Sequence, residues 1–266
     1  VSDPAPASVA TLPKTRRINR GRGHSYLLDG EPVLGVTTIT DGGVPKPALV
    51  DWAARETAGY AVDHWEELAE LTLSKRLRLL EKARYESSRG GAARGTDVHK
   101  LAQRLAAGEE ITVPEELEGF VDSYLAFDKD WQPRELLVEV PVFHRRFRYA
   151  GTLDLIAELR DGRTALLDWK TGASGIWPET ALQLAAYRFA EFWLGDDLAE
   201  HPLPEIDFAG AVWLRADGYD LYPVDASEAT FRIFRYAQQI AAFGGEPRER
   251  FIGESLRPPS IFEAGE

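Results

Sequence analysis

The chain has 266 residues, 44% of them hydrophobic, no cysteine and a formal net charge of −12 at pH 7, enough apolar material for a sizeable core and too much for a chain disordered throughout. Without cysteine, disulfides, thiolate-ligated iron–sulfur clusters and cysteine nucleophiles are excluded. No run of about eighteen apolar residues occurs, and the amino terminus lacks the basic-then-apolar layout of a secretion signal, so the expectation is a cytoplasmic protein with no membrane partner.

Residues 1–13, rich in Ala, Pro and Ser, are read as a flexible tail. Ser25 to Val36, centred on Asp29-Gly30, predicts a β-hairpin. Pro47 to about Leu73 predicts a long helix carrying Leu49, Trp52, Ala53, Tyr60 and Trp65, and a second helix runs to about Tyr85. Ser87 to Gly91 reads as a hinge-like loop before a helix that opens at Arg94-Gly95-Thr96-Asp97-Val98-His99 and reaches about Ala107. Pro114 to about Trp131 is one more helix. Strands are expected near Leu136, over Arg148 to Glu158 and over Thr164 to Lys170, the last two joined through Asp161-Gly162. A helix over Pro178 to Leu194 places Leu182, Ala185, Ala186, Phe189 and Trp193 at helical spacing. Phe208 to Leu214, an extended Tyr219 to Val224 and a helix from about Ser227 to Phe243 complete the series. The class is α/β, with an αβββαβ core and one added strand and helix. The expected divisions are a tail over 1–13, a hairpin and helical region over 14–91, a core over 92–243 and a second tail over 244–266. Trp52, Trp65 and Trp177 read chiefly as core, with base stacking as the second reading.

The chemistry is concentrated in two segments. Gly151-Thr152-Leu153-Asp154-Leu155 is followed by Asp168-Trp169-Lys170-Thr171-Gly172, with the two aspartates fourteen positions apart. Alternate strand residues face the same side, so Asp168 and Lys170 point together, and a hairpin brings Asp154 beside Asp168. Two adjacent carboxylates repel unless a positive charge lies between them, and a hard divalent cation with oxygen ligands, Mg²⁺ or Mn²⁺, is the usual solution. Such a cation acidifies a bound water and neutralises phosphodiester charge, while Lys170 orients or deprotonates the water. The blander reading makes the aspartates turn residues and Lys170 a solvated lysine; an Asp and a Lys closing an apolar strand weigh against it. Gln183 and Tyr187, four apart, share a helix face, His99 is a candidate imidazole ligand, and Glu139 is a lone charge in an apolar strand-like run.

In order, Gly-Thr-Asp-Val-His, Val-Glu-Val-Pro-Val, Ala-Gly-Thr-Leu-Asp-Leu-Ile, Leu-Asp-Trp-Lys-Thr-Gly and Gln-Leu-Ala-Ala-Tyr resemble the RecB-like branch of the PD-(D/E)xK (restriction-endonuclease-like) nucleases, over roughly Arg94 to Arg215. Val36-Thr37-Thr38-Ile39 and the segment Pro45 to Ala54 are further similar to the amino-terminal region of exonucleases encoded by actinobacterial phages. The resemblance implies metal ligation by His99, Asp154, Asp168 and the Trp169 backbone carbonyl, with Lys170 as the catalytic lysine. Gln183 and Tyr187 then support the site, and Glu139 assists from the first core strand. Many RecB-like exonucleases carry a four-cysteine iron–sulfur cluster, which this cysteine-free chain lacks.

Charge distribution qualifies the acidic total. Between Lys75 and Arg104 nine basic residues face three acidic ones, Lys14 to Arg22 carries five positive charges and no negative one, and His144-Arg145-Arg146-Phe147-Arg148 precedes the Asp154 strand. Each run is read as a phosphate contact or as a solvated face. The expectation is a metal-dependent DNA exonuclease acting in phage recombination or DNA processing, in the host cytoplasm. Its alternatives are a catalytically silent nucleic-acid-binding protein and a structure-specific endonuclease of the same superfamily. An annealing protein or helicase partner is implied by the resemblance alone, and the residues leave polarity, strand preference and oligomer formation open.

Overall fold

The computed structural model describes residues 14–20, 23–106 and 109–256, without the side chains of 20, 86–97, 99–100, 102–103 and 106. In chain order the elements are β1 (Arg16–Arg20), β2 (Gly23–Leu28), β3 (Glu31–Gly35), α1 (Val36–Gly43), α2 (Pro47–Asp63), α3 (Trp65–Ala69), α4 (Leu73–Ala106) and α5 (Glu115–Trp131). Then come β4 (Arg134–Val138), β5 (Pro141–His144), β6 (Tyr149–Thr152), β7 (Leu155–Glu158), β8 (Thr164–Lys170), α6 (Glu179–Arg188), β9 (Phe192–Leu194), β10 (Glu200–His201), β11 (Phe208–Arg215), β12 (Gly218–Val224) and α7 (Glu228–Gly244). The class is mixed α/β. One sheet runs β1-β2-β3-β6-β5-β9-β10 and the other β12-β11-β8-β7-β4.

Local chemistry accounts for several of these elements. Asp29 and Gly30 take φ of 55° and 90°, the pair of positive angles that lets a two-residue turn match the twist of the flanking strands. α5 opens with Glu115, Glu116 and Glu118, carries Lys129 in its last turn and stops at Gln132 in the left-handed region, an order of charges that complements the helix dipole. The Ser227 hydroxyl accepts the Thr230 N–H at the start of α7. β8, with Ala165 to Asp168 buried, is covered on both faces. Leu166 faces the cluster built with α1, α6 and α7, and Leu167 faces the cluster built with α5.

The site owes its position to a bent hairpin. The expected strand over Arg148 to Glu158 is interrupted at Leu153-Asp154, and its partner is interrupted at Glu139, where φ is 49°. The arms stay bonded through the bend, the Glu139 N–H donating to the Asp154 carbonyl at 2.9 Å and the Leu153 N–H to the Val140 carbonyl at 3.1 Å. One pair of strands thereby serves two sheets: β5–β6 in the larger and β4–β7 in the smaller.

Other expectations are corrected. The hinge over Ser87 to Gly91 is backbone helix inside α4: each Gly costs about 1 kcal/mol in a helix interior, which elongation of a long helix tolerates. The division between residues 91 and 92 therefore falls within one helix, and β3 pairs with β6, joining the amino-terminal hairpin to the larger sheet. The long helix from Pro47 breaks at His64. α6 ends at Arg188 because Phe192 and Trp193 pair with Phe143 and Val142 at the edge of β5, so an open strand edge overrides the helical spacing. Trp65 is 71% exposed and Trp177 44% exposed, against the reading of both as core. Residues 1–13, and 257–266 of the tail read over 244–266, lie outside the described residues; within the rest of that second tail Arg248–Arg250 form a single 3-10 turn.

Candidate active site

β7 and β8 pair antiparallel with Leu155 opposite Leu167, so Asp154, the residue just before β7 begins, stands opposite Asp168. The pairing of β7 with β8 stops at Leu155 and Leu167, and past it the Trp169 N–H donates to Asp154 Oδ2 at 3.0 Å. A strand residue sends its N–H and C=O to the same edge, so the Trp169 carbonyl is directed to the Asp154 side. The Trp169 indole lies on the other face of the sheet against Tyr124 and Phe127, with centroids 4.8 and 5.1 Å away, which anchors the backbone between Asp168 and Lys170.

On the α6 face, Asp168 is 2% exposed. Gln183 Nε2 donates to its Oδ1 at 2.9 Å, and Lys170 is ion-paired with its Oδ2. Lys170 Nζ also donates to Gln183 Oε1 at 3.4 Å, and Gln183 Nε2 reaches the Tyr187 hydroxyl at 3.3 Å. Burial pushes the Asp168 carboxyl above the ordinary carboxylate range, and the Lys170 ammonium pulls it back down. Burial, reinforced by Asp154 and Asp168, raises the Tyr187 phenol well above its usual value, against the pull of its bond from Gln183. Tyr187 is therefore a neutral phenol at any ordinary pH.

The structure brings Asp154, Asp168, Lys170, Gln183 and Tyr187 together. Tyr187 does more than support: it is also a core residue. Glu139 is exposed and lies at the bend rather than in a strand; its backbone is bonded to Asp154. His99 falls on α4, but its side chain lies outside the described residues. One neighbour was missed: Trp213 on β11 pairs in register with Lys170. The alternation of Ala209, Ala211, Trp213 and Arg215 along that strand was the available signal.

Among the described residues no three His, Cys, Asp or Glu side chains form a metal cage. The donors present are nevertheless oxygens suited to a hard cation: the Asp154 and Asp168 carboxylates and the Trp169 carbonyl. The buried Asp168 Oδ2 accepts no hydrogen bond of good geometry and has the Lys170 ammonium as its charge partner, an atom whose burial a cation would offset. The residues fit Mg²⁺ or Mn²⁺.

No family model matches the chain, and no curated protein matches it. Among solved structures, one described as "Crystal structure of SSO0001" is similar over 63% of this chain and 72% of its own, with 15% sequence identity and a TM-score of 0.29.

Proposed function

We propose that the protein is a metal-dependent DNA exonuclease of the RecB-like branch of the PD-(D/E)xK nucleases, hydrolysing phosphodiester bonds in phage recombination or DNA processing. The observation that carries this reading is the convergence of Asp154, Asp168, Lys170 and Gln183 where the bent hairpin opens beside the end of β8. The chain order α5, β4, β7, β8, α6, β11, with β8 and β11 parallel, supports it as the αβββαβ order that the resemblance implies.

Asp154, Asp168 and the Trp169 carbonyl are the groups that would hold Mg²⁺ or Mn²⁺. When bound, such a cation acidifies a water and neutralises charge on the phosphodiester. Gln183 fixes the Asp168 carboxylate through Oδ1, leaving Oδ2 for charge partners. Lys170, half-buried and bonded to Gln183, orients the attacking water and stabilises the negative oxygens of the transition state. The water oxygen forms a new P–O bond, the bond to the leaving sugar oxygen breaks, and that oxygen takes up a proton. Tyr187 keeps Gln183 in place.

Calorimetric titration with Mn²⁺ beside a cleavage assay on labelled DNA tests the proposal. Asp154→Ala and Asp168→Ala are expected to lose both metal binding and cleavage, and Lys170→Ala to keep metal binding and lose cleavage. Undiminished cleavage in all three would sink the reading. DNA bound without metal and left uncut would favour the silent binding protein, and cutting of closed circles would favour the endonuclease.

A further inference from the structure

We propose that the cavity beside Lys170, walled by Trp177, Trp213 and Tyr222, receives an unstacked nucleobase of the substrate strand. The proposal rests on the nuclease reading and assigns the class of group that the same site grips next to the bond it cuts.

Register puts the cavity there. Parallel pairing of β11 with β8 sets Trp213 against Lys170 and Ala211 against Asp168. Paired residues of neighbouring strands project to one face of a sheet, so the Trp213 indole stands on the catalytic face next to the lysine. On the next strand Tyr222 pairs with Ala211 and shares that face. The loop after Lys170 then brings Ile176 and Trp177 to the other side, and the open cavity between these walls has a volume of about 470 Å³, within the roughly 300–1,000 Å³ typical of small-ligand sites.

The chemistry of the walls suits a base. Trp213 Nε1 donates to the Gly172 carbonyl at 2.9 Å and Trp177 Nε1 to Ser174 Oγ at 3.0 Å, so the loop engages the polar edges of both indoles rather than their π faces. The Arg215 guanidinium lies 4.4 Å from the Trp213 ring centroid and is held by Asp217 and Asp220, which stiffens that wall. Trp177 and Tyr222 stay substantially exposed beside a charged site. Every base has a π face, so stacking on such walls is tolerant of sequence, as an enzyme that degrades a strand from its end requires.

The test uses single-stranded DNA carrying one abasic residue, moved stepwise along the strand, with wild type, Trp177→Ala and Trp177→Phe. A parallel arm measures quenching of tryptophan fluorescence by oligothymidylate in chelator, which needs no activity. For wild type, KM is expected to rise about ten-fold when the abasic residue occupies one position next to the cut, with kcat little changed. Trp177→Ala should show that higher KM on intact DNA and no response to the abasic residue, and Trp177→Phe should restore both. Wild-type cleavage that responds to neither change would overturn the cavity's role. If wild type cuts nothing, the nuclease reading fails, and the fluorescence arm decides the cavity: quenching that is reduced in Trp177→Ala supports it, and unchanged or absent quenching overturns it.

Discussion

Gly151 shows how tightly the residues behind the site are set. A Cβ there would lie 2.4 Å from Tyr187 Cε1 and 3.0 Å from Val36 Cγ2, and Tyr187 is 2% exposed and packed in the core. Gly151→Ala is expected to destabilise the fold by about 1–3 kcal/mol and to disturb the Gln183 contact; urea unfolding and the cleavage assay would read the two effects. His144 gives a pH dependence away from the site. It is buried against Phe147 and Tyr149, and burial lowers its pKa despite the upward pull of Glu191, whose Oε1 lies 3.0 Å from Nδ1. With the folded value below the unfolded one, the stability from this group is present above about pH 6.5 and is lost as the pH falls through the folded value. Unfolding midpoints should therefore drop between about pH 7.5 and about pH 5, and drop less in His144→Gln. Asp154, Asp168 and Lys170 were legible from residue type and strand alternation. The burial of Tyr187 was not, because a tyrosine on a helix face does not say what packs over it.

At the scale of elements, α1 is the clearest case of tertiary packing overriding local preference. Val36-Thr37-Thr38-Ile39 is β-branched and favours a strand, yet it forms helix with Val36 and Ile39 buried. The cause is a close approach to α7: a Cβ on Gly43 would lie 2.1 Å from the Ala237 carbonyl oxygen, and one on Gly42 3.2 Å from Ala241 Cβ. Gly43→Ala is expected to cost about 2 kcal/mol or more by forcing the helices apart, seen as a lower melting temperature. The hairpin at Asp29-Gly30, α5, β8 and α7 were legible because each carries its own turn, cap or periodicity. The bend at Glu139, the early end of α6 and β9 were not, since each depends on which strand edge lies beside it.

For the molecule as a whole, the bent hairpin couples the two sheets at the place where the candidate ligands meet. The basic runs are less free than the sequence suggested. Arg145 is bonded to Asp29 and Glu200, and Arg76 donates to the carbonyls of Leu68, Ala69 and Leu71 at the end of α3. Lys75, Arg78, Lys82 and Arg84 remain exposed along α4, the stretch best supplied for phosphate contacts. No described helix is long and apolar enough to cross a membrane. The most direct measurement incubates end-labelled linear duplex, linear single strand and closed circular DNA with Mg²⁺ or Mn²⁺, with and without chelator, beside Lys170→Ala. The account predicts metal-dependent loss of linear DNA alone, abolished by the chelator and by the substitution. Cleavage that persists in chelator or in Lys170→Ala would contradict it.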